Sequence, residues 1–463
     1  MTTDRVRPAD PAGRAAQAPP ERTGPLTWVQ RLWLPDAPDR QIASHEDNQF
    51  RELSLAVPLE PGSARRAVRE VLARHEVLRS RIVGLGAEAL QAVDAVEPGY
   101  EQVLRSVDLD GWEEAVSEAR RTSFRLASQW PLKVLTGTRE GKVRRVAVVV
   151  DHWASDGLGV LALLDDLASA LDARARGADW VTAGPVEQPI DLALWESATP
   201  AGAAHLGRAR TYWRQQFERL ARDLADYRPA PVEEPPPGRA PLCFPGCTMT
   251  SVRLAEAANA VAERLQVPVA AVYLAAFSSA VGAAEQVGVV GTLMLSANRL
   301  TPAAMRSVRN AVMSAPVVLA VSRPGGFAET VVRAAAQQTQ AFRYANADHR
   351  LTGGIADEVL GDLRDSAVTS AVFNFMPEAA LRGDRVPDIA RLAPFDVLEP
   401  MPPRATAAAR MFMVVLRQDR VTLTLRWRED TSWQHAAEPM VRYLVDLITH
   451  EATPGAEVPR YGG

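Results

Sequence analysis

The sequence predicts an α/β protein built as two lobes, and three observations carry that prediction. The chain has 463 residues, which is too long for one ordinary hydrophobic core and suits two lobes of about 200 residues each. In both halves, apolar runs typical of buried strands are followed by helical patterns. Between the halves, residues 228–245 contain seven prolines, and such a segment favours an extended connector over helix or sheet.

The composition is that of a globular protein and argues against nucleic acid as the main partner. Apolar residues make up 47% and charged residues 23%, with a net charge of −4. Phosphate binding needs a basic field, which this charge balance does not supply. Cys243 and Cys247 are the only cysteines. With no histidine near them, they predict neither a zinc site nor a disulfide framework.

The N-terminal 23 residues lack the apolar region of a secretory signal and are predicted to be a disordered tail. The longest uncharged run, residues 265–284, contains Gln, Pro, Tyr and Ser, so a core helix explains it better than a membrane span. No membrane partner is expected, and cytoplasmic residence follows as the default.

The first half begins its regular structure with an alternating strand at residues 50–57. Pro61 and Gly62 then mark a turn, and Ser63 is placed to cap a helix. Its apolar face is Val68, Val71, Leu72 and Leu78. His75 follows beside Arg74 and Glu76, and we interpret it as structural because local charges can satisfy it.

The stretch around residues 146–159 organises the rest of the chain. Residues 146–150 (Val-Ala-Val-Val-Val) predict a strand buried on both faces. Residues 151–157 then read Asp-His-Trp-Ala-Ser-Asp-Gly, and a helical pattern continues from Val160 to Leu171. A polar loop between a buried strand and a helix holds a side chain rigidly at the edge of a core. His152 and Asp156 are the chemically interesting residues there.

The second half repeats the alternation of strands and helices. A helical stripe runs from Leu206 to Leu224 ahead of the proline-rich stretch. Beyond it we predict strands, helices and a closing hairpin with a final helix. The strands are placed at 248–254, 287–295, 315–321 and 371–376, the helices at 255–284 (interrupted near Pro268) and 327–344, and the hairpin at 411–416 and 421–427.

Residues 151–157 resemble the His-His-x-x-x-Asp-Gly motif of the condensation domains of nonribosomal peptide synthetases, within the superfamily of chloramphenicol-acetyltransferase-like acyltransferases. Asp151 replaces the first His of that motif, and residues 345–350 match their family counterpart poorly. Further segments resemble the family in the same order along the chain: residues 24–33, 74–81, 191–195, 212–213, the pair Gly291 and Arg299, and residues 371–376.

The resemblance implies two chloramphenicol-acetyltransferase-like lobes, each a mixed sheet flanked by helices, with an active-site tunnel at their interface. The predicted division is 1–23 as tail, 24–180 as the first lobe, 181–247 as a helical and proline-rich connector, 248–456 as the second lobe and 457–463 as a tail.

The resemblance also assigns roles in the site. His152 is the predicted catalytic residue, and the sequence leaves open whether it is a general base or positions the nucleophile. Asp156 is implied to pair with Arg299 of the second lobe. Gly157 would let backbone approach the substrate at a helix N-terminus.

Three side chains are candidates for substrate binding: Asp151, Trp153 and Asn374. For Asn374, donation to the oxyanion and local hydrogen bonding within a strand are equally open. No metal is expected in the site.

The implied activity is that of a free-standing condensation enzyme. It would transfer an acyl or aminoacyl group from the phosphopantetheine thioester of a peptidyl or acyl carrier protein to an amine or alcohol acceptor, with no bound cofactor. A second reading uses acyl-CoA as the donor. A third, motivated by Asp151 and by residues 345–350, is a degenerate condensation-like module that recruits a partner protein.

Overall fold

A computed structural model describes residues 19–34, 44–229, 243–321, 326–377, 396–404, 410–429, 431, 433–453 and 461. Residues 1–18 of the predicted N-terminal tail and most of the tail predicted at 457–463 lie outside these ranges. Most of the proline-rich stretch also lies outside them. The predicted strands and helices fall almost entirely within them.

The first half alternates short strands with helices. Its strands are β1 (Arg22–Pro25), β2 (Gln49–Leu59), β3 (Ser80–Val83), β4 (Leu90–Val93), β5 (Leu104–Asp108), β6 (Leu132–Arg139) and β7 (Lys142–Val150). Its helices are α1 (Trp28–Leu32), α2 (Pro61–Arg74), α3 (Val96–Val103), α4 (Trp112–Arg120), α5 (Gly157–Ala175), α6 (Pro189–Ala198) and α7 (Pro200–Asp223).

The second half is built in the same way. Its strands are β8 (Phe244–Ser251), β9 (Val289–Ser296), β10 (Met313–Ala320), β11 (Ala371–Pro377), β12 (Glu399–Arg404), β13 (Arg410–Leu416) and β14 (Val421–Trp427). Its helices are α8 (Val252–Leu265), α9 (Val269–Ala284), α10 (Pro302–Met305), α11 (Phe327–Tyr344), α12 (His349–Leu360), α13 (Ala367–Ser370) and α14 (Trp433–Ala452).

The described strands form three sheets. The first half contributes a four-stranded sheet of order β2-β7-β6-β5 and a three-stranded sheet of order β1-β4-β3. The second half contributes a seven-stranded sheet of order β10-β9-β11-β13-β14-β8-β12. The four- and seven-stranded sheets each contain both parallel and antiparallel pairs, so they are mixed sheets, as expected.

Strand β7 is buried on both faces, as its uninterrupted apolar run predicts. Val146, Val148 and Val150 pack in a core with residues of α2 and α5. On the opposite face, Ala147 and Val149 pack against α4. A strand covered on both faces is a rigid support for the loop that follows it.

Several sequence predictions are confirmed by these elements. Helix α11 spans residues 327–344 as predicted, and β13 and β14 form the predicted antiparallel hairpin. The cap predicted at Ser63 is wrong, because α2 begins at Pro61 after Glu60. Proline suits the first turn of a helix, where its missing N–H costs no hydrogen bond.

Two predicted domain boundaries, the end of the N-terminal tail at residue 23 and the start of the second lobe at residue 248, lie close to strands. Arg22 and Thr23, predicted as tail, pair with Val93 and Ala92 of β4. Strand β8 begins at Phe244, and the buried stripe of α7 packs into the core of the second half. The division at residue 248 stays a prediction.

The residues predicted as a long uncharged helix are largely enclosed by protein. Helix α9 is buried along nearly its whole length. Among the described residues, no single helix has the length and hydropathy to cross a membrane. By length and composition alone, the pair α8 and α9 together passes that test, with a bend of 108° between them.

Candidate active site

The polar loop after β7 forms a tight turn. Asp151 holds it, since its carboxylate oxygen accepts a hydrogen bond from the Trp153 N–H at 2.8 Å. The Asp151 carbonyl accepts from the N–H groups of Ala154 and Ser155, at 3.0 and 3.2 Å. An aspartate bonded to the backbone two residues onward is a common turn device. The turn places His152 between β7 and the start of α5.

The His152 ring is held by residues from two other parts of the chain. Asn310, in the segment between β9 and β10, places its Nδ2 3.1 Å from His152 Nδ1 and 2.7 Å from the His152 carbonyl oxygen. Trp33, at the end of α1, stacks on the imidazole with 4.2 Å between ring centroids and 21° between planes. Within the described residues, no hydrogen-bond partner contacts Nε2. His152 as a whole is half-buried.

Asp156 joins the two halves of the chain. One carboxylate oxygen accepts from the Gly159 N–H at 2.7 Å and so caps α5. The other accepts from Arg299 Nη1 and from the Ala311 N–H, both at 2.8 Å. The Asp156 and Arg299 side chains are each 1% exposed. The geometry thus contains the pairing between these two residues that the resemblance implied.

Arg309 supplies a backbone anchor beside this ion pair. Its carbonyl accepts from the Asp156 N–H at 3.3 Å and from Arg299 Nη2 at 2.8 Å. The Arg309 guanidinium pairs with Glu187, and burial lowers the pKa of Arg309. Polar groups that lose water in this way need such partners, and here the partners come from both halves.

Two glycines at the start of α5 differ in their surroundings. A Cβ on Gly159 would lie 2.5 Å from the Arg309 carbonyl oxygen and 2.6 Å from Ser155 Oγ, so only glycine fits there. A Cβ on Gly157 would meet no atom within 4 Å. Gly157 therefore adjoins open space at the N-terminus of a helix, where backbone N–H groups favour negative charge.

The Asp151 carboxyl group is buried. Removal from water raises the pKa of Asp151 from 3.8 to about 6, partly opposed by its hydrogen bond from Trp153. Asp151 therefore changes charge close to neutral pH, beside the histidine of the loop.

The other two predicted substrate contacts are a buried indole, Trp153, and an asparagine on a strand of the second half, Asn374. The Trp153 side chain is 1% exposed and packs in the core of the first half, which leaves the indole without the exposure that contact with a substrate needs. Asn374 lies in β11 opposite Met413. Its neighbour Phe373 packs against Phe277 of α9, so alternation places Asn374 on the other sheet face. Among the described residues, no hydrogen bond joins Asn374 to the His152 loop.

His75 is structural, as the sequence analysis interprets it. Its Nε2 lies 2.7 Å from the Asp166 carboxylate of α5, and the side chain is 1% exposed. Its partner is distant in sequence rather than the neighbouring Glu76. Burial lowers the pKa of His75, against the opposing effect of Asp166.

Sequence reasoning missed Asn310, Trp33 and Gly159 as parts of the site. Asn310 gave no signal, because it lies in none of the predicted strands or helices and in none of the family-like segments. Trp33 closes the family-like segment 24–33, and Gly159 follows two residues after the motif glycine, so both had a signal in the sequence. Within the described ranges, no group of three or more His, Cys, Asp or Glu side chains is placed to hold a metal ion.

A family model described as "Condensation domain" matches residues 21–353, well over half of the chain. This chain belongs to the condensation domain family. A condensation-type function follows at that level, and the resemblance seen in residues 151–157 is confirmed.

Relatives and solved structures agree with that assignment. This condensation domain is 31% identical, over 208 residues, to the isonitrile lipopeptide synthase of Mycobacterium tuberculosis, covering 42% of this chain and 8% of that protein. The matched part of the chain covers less than a tenth of the length of these curated relatives, 3% of one and 8% of the other.

The structural likenesses extend over the whole domain. One is to a structure on condensation domain-mediated chain release from the enacyloxin polyketide synthase, with a TM-score of 0.69, 16% identity, and coverage of 97% of this chain and 86% of that one. Another is to the complex of the X-domain and OxyB from teicoplanin biosynthesis, with a TM-score of 0.66, 20% identity and coverage of 98% of each chain. The predicted fold class, two chloramphenicol-acetyltransferase-like lobes, is confirmed.

Proposed function

We propose that this condensation domain is an acyltransferase. It takes an acyl or aminoacyl group from the phosphopantetheine thioester of a peptidyl or acyl carrier protein and joins it to a small-molecule acceptor. The observation that carries the proposal is the placement of His152. The ring is fixed through Nδ1 and one face, while Nε2 remains available where the two halves of the chain meet.

The surroundings of His152 support this role. Acyl transfer needs a group that contacts the reacting atoms and a place where developing negative charge is stabilised. His152 supplies the first, and the N-terminus of α5 at Gly157, with open space beside it, supplies the second. The carrier-bound arm would enter from one face through a tunnel, and the acceptor from the other. Asp156 and Arg299 fix the loop rather than contact substrate.

The test is acyl transfer by the purified chain. Carrier proteins loaded with acyl and aminoacyl groups are incubated with candidate acceptors, and loss of the acyl group is followed by intact mass. We expect His152→Ala to lose turnover by about 100-fold or more, in line with the loss of a group acting on the reacting atoms. An unchanged melting temperature would show that the fold is intact.

His435→Ala is the matched control, because His435 is exposed on α14. It should transfer at the wild-type rate. Wild-type turnover in His152→Ala would refute the role of His152. Adding acyl-CoA in competition with the loaded carrier separates the two donor classes. Preferential transfer from acyl-CoA would show that the donor is acyl-CoA rather than a carrier protein.

A second candidate is a binding module that recruits a partner protein. Asp151 in place of the first motif histidine favours it, and one structural likeness is to an X-domain in complex with OxyB. Tight binding of a carrier or partner enzyme that His152→Ala leaves unchanged, with no transfer across the acceptor panel, would favour this candidate.

A further inference from the structure

Arg51 of β2 is a half-buried arginine that forms no ion pair with any described residue. Its Nη1 donates to the Phe50 carbonyl at 2.6 Å, and its other N–H donors have no partner within the described ranges. Burial lowers the pKa of Arg51, and no acidic side chain opposes this effect. A charge removed from water without compensation costs folding free energy.

Other arginines in comparable surroundings do have a carboxylate partner. Burial also lowers the pKa of Arg309, but Glu187 pairs with that guanidinium and opposes the shift. Further ion pairs join buried arginines to acids: Arg79 to Glu21, Arg81 to Asp94, and Arg299 to Asp156. Arg51 departs from this pattern, which indicates that an anion from solution completes its surroundings.

The acidic side chains near the start of β2 are engaged elsewhere. Asp47 accepts from Arg404 of the second half at 2.9 Å. The Asp151 carboxylate is used inside the turn that holds the His152 loop. Glu52 pairs with Arg145, on the opposite face of the strand from Arg51.

Arg51 points to the sheet face that α2 and α5 cover. Its neighbour Phe50 is opposite Val149, and both pack on the α4 side. Because side chains alternate along a strand, Arg51 lies on the other face, with Leu53. The α5 side is the one on which the His152 loop leads into its helix.

Arg51 is also near that loop along the strand. It is opposite Val148, two residues before β7 ends at Val150. A strand rises about 3.4 Å per residue, so the loop begins about 7 Å along the strand from this pair. An anion held by the long Arg51 side chain therefore lies within the length of a small molecule from His152.

We propose that Arg51 binds the carboxylate of the acceptor, and that the acceptor is a free amino acid or hydroxy acid. The proposal deepens the acyltransferase function and rests on it. A guanidinium binds a carboxylate through two parallel hydrogen bonds, which fixes the orientation of the bound molecule as well as its position. The free end of the acceptor, its amine or hydroxyl, is then directed toward the thioester.

The acceptor, rather than the donor, supplies this carboxylate. The carboxyl group of the donor is already used in its thioester, and the phosphate of the phosphopantetheine arm stays at the carrier end of that arm. During transfer, the C–S bond breaks and a C–N or C–O bond forms. The proton of the attacking group ends on the departing sulfur, which gives a thiol. The carboxylate at Arg51 is unchanged.

The first test needs no activity. Arg51→Met keeps most of the aliphatic stem and removes the charge. Without added carboxylate, we expect its urea midpoint to lie above that of the wild type, because an uncompensated charge is gone. Arg139→Met is the matched control, since Arg139 and its partner Asp110 are 55% and 88% exposed. It should keep the wild-type midpoint. An equal or lower midpoint in Arg51→Met would show that the chain itself satisfies this charge, and would overturn the proposal.

A small carboxylate then probes the site directly. Propionate should raise the wild-type urea midpoint more than propionamide at the same concentration and ionic strength, because it binds the folded state. In Arg51→Met this difference should vanish, and in Arg139→Met it should remain. No difference between propionate and propionamide in the wild type would overturn the proposal.

The second test measures transfer from an acyl-loaded carrier. The acceptors are the protein amino acids, β-alanine and lactate, each beside its carboxamide. For the acceptors used, we expect kcat/KM for the acid to exceed that for the amide by about 10–100-fold, the usual size of a hydrogen bond between charged groups. Arg51→Met should bring this ratio close to one, and Arg139→Met should keep it. Equal use of acid and amide by the wild type, or a ratio that survives in Arg51→Met, would overturn the proposal.

Two further outcomes separate this proposal from its alternatives. Acyl-phosphopantetheine and acyl-pantetheine are compared as donors, and a preference for the phosphate that Arg51→Met abolishes would replace the acceptor carboxylate by the phosphate of the donor. Transfer to amines or alcohols that lack a carboxylate, but to none of the acids, would also overturn the proposal. Transfer to no acceptor at all would refute the proposed function, and the urea midpoints with propionate would still decide whether Arg51 binds a carboxylate.

Discussion

At the scale of single residues, the buried Asp151 carboxyl makes stability depend on pH. Its pKa is raised from 3.8 to about 6 by burial. The folded state therefore binds this proton more tightly than the unfolded state does. By linkage, the free energy of unfolding falls as pH rises from about 4 to 6, and the loss is complete above that window. The shift corresponds to about 3 kcal/mol.

We expect Asp151→Asn to be more stable than the wild type at pH 8, by up to about 3 kcal/mol, and to differ little at pH 4.5. The amide oxygen can still accept from the Trp153 N–H, while the buried charge is gone. The measurement is chemical denaturation at both pH values.

The control for this comparison is Asp110→Asn, because the Asp110 side chain is 88% exposed. It should stay within about 0.5 kcal/mol of the wild type at both pH values. Burial also raises the pKa of Glu196, to about 7. The free energy of unfolding of each variant is therefore compared with that of the wild type at the same pH. The contribution of Glu196 is the same in both proteins and cancels in the difference. A gain in Asp151→Asn that is equal at pH 4.5 and pH 8 would contradict the assignment.

Residue types in a local pattern revealed only part of the site. His152 and Asp156 were found because strand, loop and helix follow directly in sequence. Arg299 came only from the order of family-like segments. Asn310 and the stacking of Trp33 on His152 depend on contacts between residues far apart in sequence. No local periodicity reports such contacts.

At the scale of elements, helix α5 can start where it does because Gly159 has no side chain. Its Cα lies against the backbone of Arg309, and that backbone cannot retreat without breaking the bonds to Asp156 and Arg299. Close approach of this kind makes an added methyl group costly.

We expect Gly159→Ala to lower the free energy of unfolding by about 1–3 kcal/mol, the usual cost of overpacking. Gly157→Ala is the matched control in the same turn, with open space at Cβ. It should be neutral or stabilised by up to about 1 kcal/mol through helix propensity. Urea denaturation of both variants gives the comparison. Equal stabilities would mean that α5 does not lie against Arg309.

Elements with a local signature were predictable, and those that depend on partners were not. Helix α11 and the β13–β14 hairpin follow from periodicity and turn residues. Strand β12 has prolines at 400, 402 and 403, which argue against a strand. Among the described strands it pairs with β8 alone, at the sheet edge, where missing N–H donors are tolerated. Its existence depends on a neighbour from the start of the second half.

At the scale of the whole molecule, the two halves are joined by buried charge and by an edge strand. The Asp156–Arg299 pair lies between them, fully enclosed. At another connection, Arg404 of β12 donates to the Asp47 carboxylate at 2.9 Å and to the Glu46 carbonyl at 2.5 Å. The Asp156–Arg299 pair is shielded from water, whereas the contacts of Arg404 are partly exposed. The two connections should therefore contribute unequally to the free energy of unfolding.

We expect Arg299→Ala to cost about 3–5 kcal/mol, because it leaves a buried carboxylate without its charge partner. Arg214→Ala is the control, since it breaks a pair with Glu358 in which the side chains are 32% and 61% exposed. It should cost about 1 kcal/mol or less. Denaturation of Asp156→Ala, Arg299→Ala and the double variant gives the coupling energy. A coupling near zero would show that the pair does not join the halves.

Asp156 both caps α5 and pairs with Arg299, and this has a consequence for synthesis on the ribosome. Arg299 follows it by 143 positions, so at about 5–20 residues per second its partner is translated roughly 7–30 s later. During that interval the nascent first half has its helix cap but not the arginine that neutralises it. We expect this end of the emerging chain to stay hydrated and loosely ordered until the later residues arrive, which makes it a natural point of engagement for a chaperone.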